Sequence, residues 1–124
     1  MTTWKTYSYY FEGLESHLQR IAAKKARLDA LRPIPAIALK STKESLTYEW
    51  TYNSNSIEGN TITLQETQLI IEEGITIKGK SLREHFETLN HHDAIAFVES
   101  LAGTASALAA REVLDVHALV LQRI

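Results

Sequence analysis

Apolar side chains recur along this chain at helical intervals, and the punctuation between the runs is equally regular. Phe11, Leu14, Leu18, Ile21, Leu28 and Leu31 keep the three-and-four spacing of one helix face, with Arg20, Lys24 and Arg27 on other faces. That pattern predicts an amphipathic helix over 11–31. Pro33 and Pro35 end it, because proline lacks an amide donor and restricts the residue before it. A second helix is predicted from near Pro35 to about Ile57, with Leu46, Trp50 and Ile57 on one side. Two capping boxes come next, Thr63-Leu64-Gln65-Glu66 and Ser81-Leu82-Arg83-Glu84, in which a hydroxyl accepts an orphan amide and a glutamate reaches back. The first predicts a helix with Leu64, Ile70 and Ile71 that closes at Gly74. The second predicts a helix to about Leu101, carrying Leu82, Phe86, Leu89, Ile95, Phe97 and Val98 and closing at Gly103. A last helix, from about Ala107, carries Val113, Leu114, Val116, Leu119, Val120 and Leu121 on more than one face, as suits the middle of a bundle. The expected fold is therefore all-α, a helical bundle of about five helices.

The connections are short. Ile75 to Lys80 reads as an extended turn with β-branched residues and one glycine, and Arg32 to Pro35 as a tight link. Trp4, Tyr7, Tyr9, Tyr10 and Phe11 form an aromatic lead-in that is expected to pack on the body. No internal repeat or low-complexity segment interrupts the pattern.

Composition narrows the function classes. At 124 residues there is room for one domain, and 44% hydrophobic with 23% charged residues is ordinary for a soluble globular protein. A formal net charge of −2 offers no basic face for nucleic acid. With no cysteine there is no thiol nucleophile, disulfide or cysteine-bound zinc. No apolar run reaches the length of a membrane span, and Met1 to Thr6 lacks a signal-peptide core, so a cytoplasmic location is expected.

The chemistry concentrates in Ser54-Asn55-Ser56-Ile57-Glu58-Gly59-Asn60. Glycine then asparagine is a common way to end a helix, since both tolerate the left-handed conformation. Glu58 would then lie in the last turn, where backbone carbonyls already present negative charge. No Lys or Arg lies between Lys43 and Lys78, whereas Glu44, Glu49, Glu58, Glu66, Glu72 and Glu73 all fall there. Either Glu58 points into water or its cation comes from elsewhere. Ser54, four residues earlier, is placed to donate its hydroxyl to the carboxylate.

Ser54-x-x-x-Glu58-Gly59 resembles the inhibitory (Ser/Thr)-x-x-x-Glu-(Gly/Asn) motif of Fic-domain proteins, which transfer AMP from ATP to protein hydroxyls. Further segments are similar to that family in the same order: Asn60-Thr61-Ile62-Thr63-Leu64, Glu72 to Ile77, Gly79 to Glu84, and Leu89-Asn90-His91 with Ala94. The family's catalytic signature, His-Pro-Phe-x-x-Gly-Asn-Gly-Arg, does not occur in these residues. The resemblance implies an N-terminal helical segment over 1–35, an inhibitory helix over 36–60 and the N-terminal part of a Fic core over 61–124. It implies regulatory roles for Ser54, Glu58 and Gly59. Glu58 would pair with the second arginine of the catalytic stretch and occupy the space of the ATP γ-phosphate. The expected chain is an autoinhibitory part of an adenylyltransferase, truncated before the catalytic motif and inactive alone. It would bind no cofactor and no metal itself, while the complete domain would use ATP and Mg. The alternative is a standalone, antitoxin-like module acting in trans on a separate Fic catalytic chain. Expected partners are the rest of the domain or such a chain, a target protein, and further copies of itself, because uncovered apolar helix faces tend to associate.

Other candidates carry less. His85, His91, His92 and Asp93 do not match a standard zinc spacing. Asn90-His91 resembles a structural family position that bonds between helices, and His117 lies on an apolar helix where a core role is expected. Gly74-x4-Gly79-Lys80-Ser81 formally fits a phosphate loop, but a helix ending in Glu72-Glu73 precedes it instead of a strand, so a capped helix start is expected. Lys24-Lys25-Ala26-Arg27 is expected to be a solvated face.

Overall fold

Five helices account for the regular structure of a computed structural model that describes residues 14–104 and 108–124. They are α1 (Leu14–Ala30), α2 (Ala36–Ile57), α3 (Leu64–Glu73), α4 (Leu82–Ala102) and α5 (Ala110–Val120), and no strand occurs among the described residues. The all-α expectation holds. The aromatic lead-in and Ala107 lie outside the described residues.

Two compact units divide the chain after Ala38. In the first, α1 buries no residue among those described, and Leu18 and Ile21 remain 50% and 62% exposed. Its Lys25 pairs with Asp29, which Arg32 also contacts, and these bonds hold the Asp29 carboxyl below its usual range, Lys25 first. The basic cluster is a solvated face, as expected.

The second unit, Leu39–Ile124, is a helical bundle formed by the rest of α2 with α3, α4 and α5. Both capping boxes form as the sequence predicts. Thr63 accepts the Glu66 amide while Glu66 accepts the Thr63 amide, and Ser81 and Glu84 do the same at α4. Gly74 closes α3 in the left-handed conformation, with its amide donating to the Ile70 carbonyl. At α5, Glu112 accepts the Ala109 amide.

What the bundle buries is more polar than the hydrophobic pattern suggests. Its buried apolar residues are Ile62, Ile70, Ala94 and Ile95, and beside them lie Thr51, Asn60, Thr67, His85, Thr88 and Asn90. Each buried polar group needs a partner, and most have a specific one. Thr88 Oγ1 donates to the Glu84 carbonyl, Thr51 Oγ1 lies 3.2 Å from His91 Nδ1, and Asn90 Nδ2 donates to the carbonyls of Val120 and Gln122. Asn90 thereby ties α4 to the end of α5, where Arg123 also lies over the Phe86 ring at 5.7 Å. Side-chain bonds join α2 to α3 through Tyr48 and Glu72, and to α4 through Lys43 and Glu99.

The expected apolar faces are largely uncovered. Leu46, Trp50 and Ile57 are 59%, 57% and 82% exposed, and α5 buries no residue. Small β-branched and amide side chains let the helices approach where bulky ones would not, so the interior positions fall to threonine and asparagine.

Candidate functional site

The candidate site is the point where α2 stops. Glu58 lies one residue beyond the helix, not in its last turn as the sequence suggests. The Gly59 amide donates to the Ser56 carbonyl at 3.1 Å and the Asn60 amide to the Asn55 carbonyl at 3.0 Å. These are the two bonds of a Schellman closure, with Gly59 at the left-handed position, φ +92°. The closure uses up helix-terminal carbonyls and aims the chain toward α4.

Glu58 is exposed and Ser54 partly buried. Among the described residues no hydrogen bond joins them, and no ion pair or side-chain hydrogen bond reaches Glu58. The expected Ser54 bond fails because Glu58 has left the helical register, its own amide turning back to the Asn55 carbonyl at 3.1 Å. Beside it, Asn55 Nδ2 is the buried side-chain polar atom without a partner among the described residues.

Immediately after the exposed acid the chain is held tightly. Asn60 is 8% exposed. Its Nδ2 donates to the Glu84 carbonyl at 3.1 Å and to Glu87 Oε2 at 3.0 Å, and its Oδ1 accepts the Ile62 amide at 2.9 Å. Thr61 gives its amide and hydroxyl to Glu84 Oε1, at 2.9 and 2.6 Å. The other oxygen of Glu84 accepts from the Ser81 amide and hydroxyl. Lys80 Nζ donates to the Thr61 carbonyl and lies 3.9 Å from Glu66. With so many donors converging, the Glu84 carboxyl is held down to about 2, the Thr61 hydroxyl contributing most and the Ser81 amide next.

By local pattern Asn60 reads as a helix stop and Glu84 as a capping residue, and the family resemblance covers both without pairing them. Their pairing spans more than twenty residues of chain, and a local pattern carries no trace of it. The one available signal was a polar Asn-Thr pair between a helix end and a capping box.

His85 and His91 make structural contacts, whereas His117 is exposed on α5 and not in the core role its apolar helix suggests, because α5 buries no residue. His85 Nδ1 faces the Ser81 carbonyl at 2.6 Å and Nε2 accepts the Ile77 amide at 2.8 Å, which fixes the Nδ1-protonated tautomer and holds the 74–81 connection. His91 meets Trp50 edge-on, ring centroids 6.1 Å apart, and burial, then neighbouring His92, lowers its pKa. His92 lies 3.7 Å from Asp93. No group of three or more His, Cys, Asp or Glu side chains is arranged to hold a metal among the described residues. Lys80, the lysine of the phosphate-loop-like string, is engaged by Thr61 and Glu66. Tyr48 donates to Glu72 at 2.9 Å; burial, then that bond and its charge, push the phenol up to about 12.

Hollows also lie elsewhere in the bundle. An apolar one of about 480 Å³ between α4 and α5 is lined by Val98, Leu101, Leu108, Val113 and Val116, and a polar one of about 400 Å³ lies between α2 and α4. No helix among the described residues is long and apolar enough to cross a membrane.

The geometry at Gly59 makes a prediction. A Cβ there would meet nothing within 4 Å, so substitution is opposed by backbone conformation alone. Gly59→Ala should cost about 1 kcal/mol, and Gly59→Asn less, since asparagine tolerates the left-handed region. Thermal melts of the two variants check the order; equal losses would contradict it.

No protein-family model matches the chain. Among the curated relatives that do match are three named protein adenylyltransferase Fic. The sea anemone Nematostella vectensis protein is 31% identical over 105 residues, which is 84% of this chain and 24% of its own length. The Drosophila willistoni protein is 32% identical and the Drosophila persimilis protein 31% identical, each over 107 residues, 86% of this chain and 21% of theirs. The chain thus spans less than a quarter of the length of these relatives. A sequence match that runs across most of its helices relates this chain to the Fic-type protein adenylyltransferases.

Proposed function

We propose that this chain is the N-terminal, autoinhibitory part of a Fic-type protein adenylyltransferase. Glu58 is its regulatory residue, with Ser54 and Gly59 shaping the helix end that presents it. One observation carries most weight: an acid at the negative end of α2 stands exposed, with no ion pair among the described residues. Such a carboxylate is unfavourable where it is, and a guanidinium approaching from the catalytic signature would relieve it.

Inhibition is then a competition. The carboxylate and the ATP triphosphate both need the same arginine, and a planar, bidentate pair with Glu58 leaves the γ-phosphate no favourable pose. The catalytic signature would supply the general base and the anion site, and the complete domain would use ATP with Mg. A hydroxyl of a target protein would accept the AMP. The 124 residues by themselves would neither bind ATP nor transfer AMP. We place the protein in the cytoplasm.

The experiment is AMP transfer from labelled ATP by the catalytically complete protein, whether the signature lies in the same polypeptide or in a partner. Glu58→Gly should raise transfer on the order of 100-fold, the expected loss of one desolvated charge pair. An unchanged rate would refute the proposal. Co-purification of the unmodified chain with a separate signature-bearing protein would assign the inhibition to a partner in trans.

A further inference from the structure

We propose that Asn60, Thr61 and Glu84 are positioning residues for Glu58, so that the strength of inhibition is set by contacts outside the Ser54–Gly59 motif. This rests on the regulatory reading of Glu58 and extends it to what holds the acid in place.

The Glu58 side chain makes no hydrogen bond or ion pair among the described residues, so the backbone on either side must fix its position. Upstream lies the last turn of α2. Downstream, Gly59 turns the chain and Asn60 enters the interior, only two residues from the acid. Asn60 gives both Nδ2 protons to α4 and takes the Ile62 amide on Oδ1, leaving little freedom to its side chain. Thr61 adds two bonds to a single oxygen of Glu84, at 2.9 and 2.6 Å. The same carboxylate is anchored at its other oxygen by Ser81, the N-cap of α4. The clamp therefore refers the end of α2 directly to the first turn of α4, while leaving the acid itself exposed.

Competition with a triphosphate depends on placement. A carboxylate held at one location acts at a high effective concentration on an arginine placed to match, and a shift of an ångström forfeits much of that advantage. Loosening the clamp should weaken inhibition with Glu58 still present.

Thr61→Val is the cleanest perturbation, because it removes one exposed hydroxyl and keeps the shape of the side chain. In the catalytically complete protein, below the melting temperature, it should raise AMP transfer about five-fold and lower the KM for ATP, the scale expected for losing the exposed hydroxyl's bonds to the charged Glu84 and Lys80. Thr61→Ser, which retains the hydroxyl, should restore the unmodified values. Asn60→Ala should act in the same direction. Combining Thr61→Val with Glu58→Gly should give the rate of Glu58→Gly alone, because there is no longer an acid to position. A purely structural role would lower the Tm and leave the KM for ATP unchanged. If Glu58→Gly activates while Thr61→Val leaves the KM for ATP unmoved, or if the two effects multiply in the double variant, the clamp proposal is overturned alone. Should Glu58→Gly itself be silent, the regulatory reading falls and the clamp proposal with it. Thr61→Val keeps the test decisive even where Asn60→Ala fails to fold.

Discussion

Glu84→Ala should lower the stability of the helical bundle by about 3 kcal/mol and its Tm by about 10 °C, a large effect for a side chain only partly buried. The carboxylate serves two structures at once. One oxygen completes the α4 capping box with Ser81; the other takes the amide and hydroxyl of Thr61. Removing it orphans donors at both places, and its partial exposure keeps the expected loss below the sum of four separate charge-assisted bonds.

The same residue sets an acid limb. Because its folded pKa is depressed from 4.5 to about 2, the unfolded chain binds the proton first as pH falls. The stabilisation is complete above about 4.5 and disappears as pH drops toward about 2. The stability difference between the unmodified protein and Glu84→Gln should therefore shrink across that window. Denaturant melts at several pH values would measure it, and a constant difference would contradict the assignment.

Ile70→Ala should be comparably damaging, at about 3 kcal/mol. Ile70 is 1% exposed, and Ile62, Ala94 and Ile95 are the other buried apolar residues among those described. With so few apolar groups inside, neighbouring side chains have little to move into the space left behind. Val113→Ala, at a position 55% exposed, should change stability by less than about 0.5 kcal/mol. Urea unfolding of the pair gives the comparison; similar losses would mean that the buried set has been misidentified.

What could be read from the residues divides by range. Capping boxes at Thr63 and Ser81 and the glycine stops at Gly74 and Gly103 concern residues three to five apart, and each helix appeared where they place it. Helix interiors were harder. Thr51, Thr67 and Thr88 are almost fully buried, yet a search for apolar periodicity passes over threonine. Leu46, Trp50 and Leu114 fit that periodicity and remain exposed. The Ser54 to Gly59 string was legible, but its acid lies one residue beyond α2 and not in the last turn where local spacing put it. The fit of Asn60 against α4 was not legible, because Glu84 and Glu87 come from a part of the chain with its own local explanation.

A turn closed at Gly59 and pinned at Asn60 also constrains how such a sequence can change length. Each residue added within a helix rotates the downstream chain by about 100°. An insertion near the start of α2 can be absorbed by extending the opposite end into the Arg32–Pro35 link, leaving the acid's bearing intact. One placed between Ile57 and Thr61 would swing the carboxylate away from its heading or pull the asparagine out of its berth on α4. Drift in length should thus collect ahead of the helix, and the few residues around its exit should stay fixed in number.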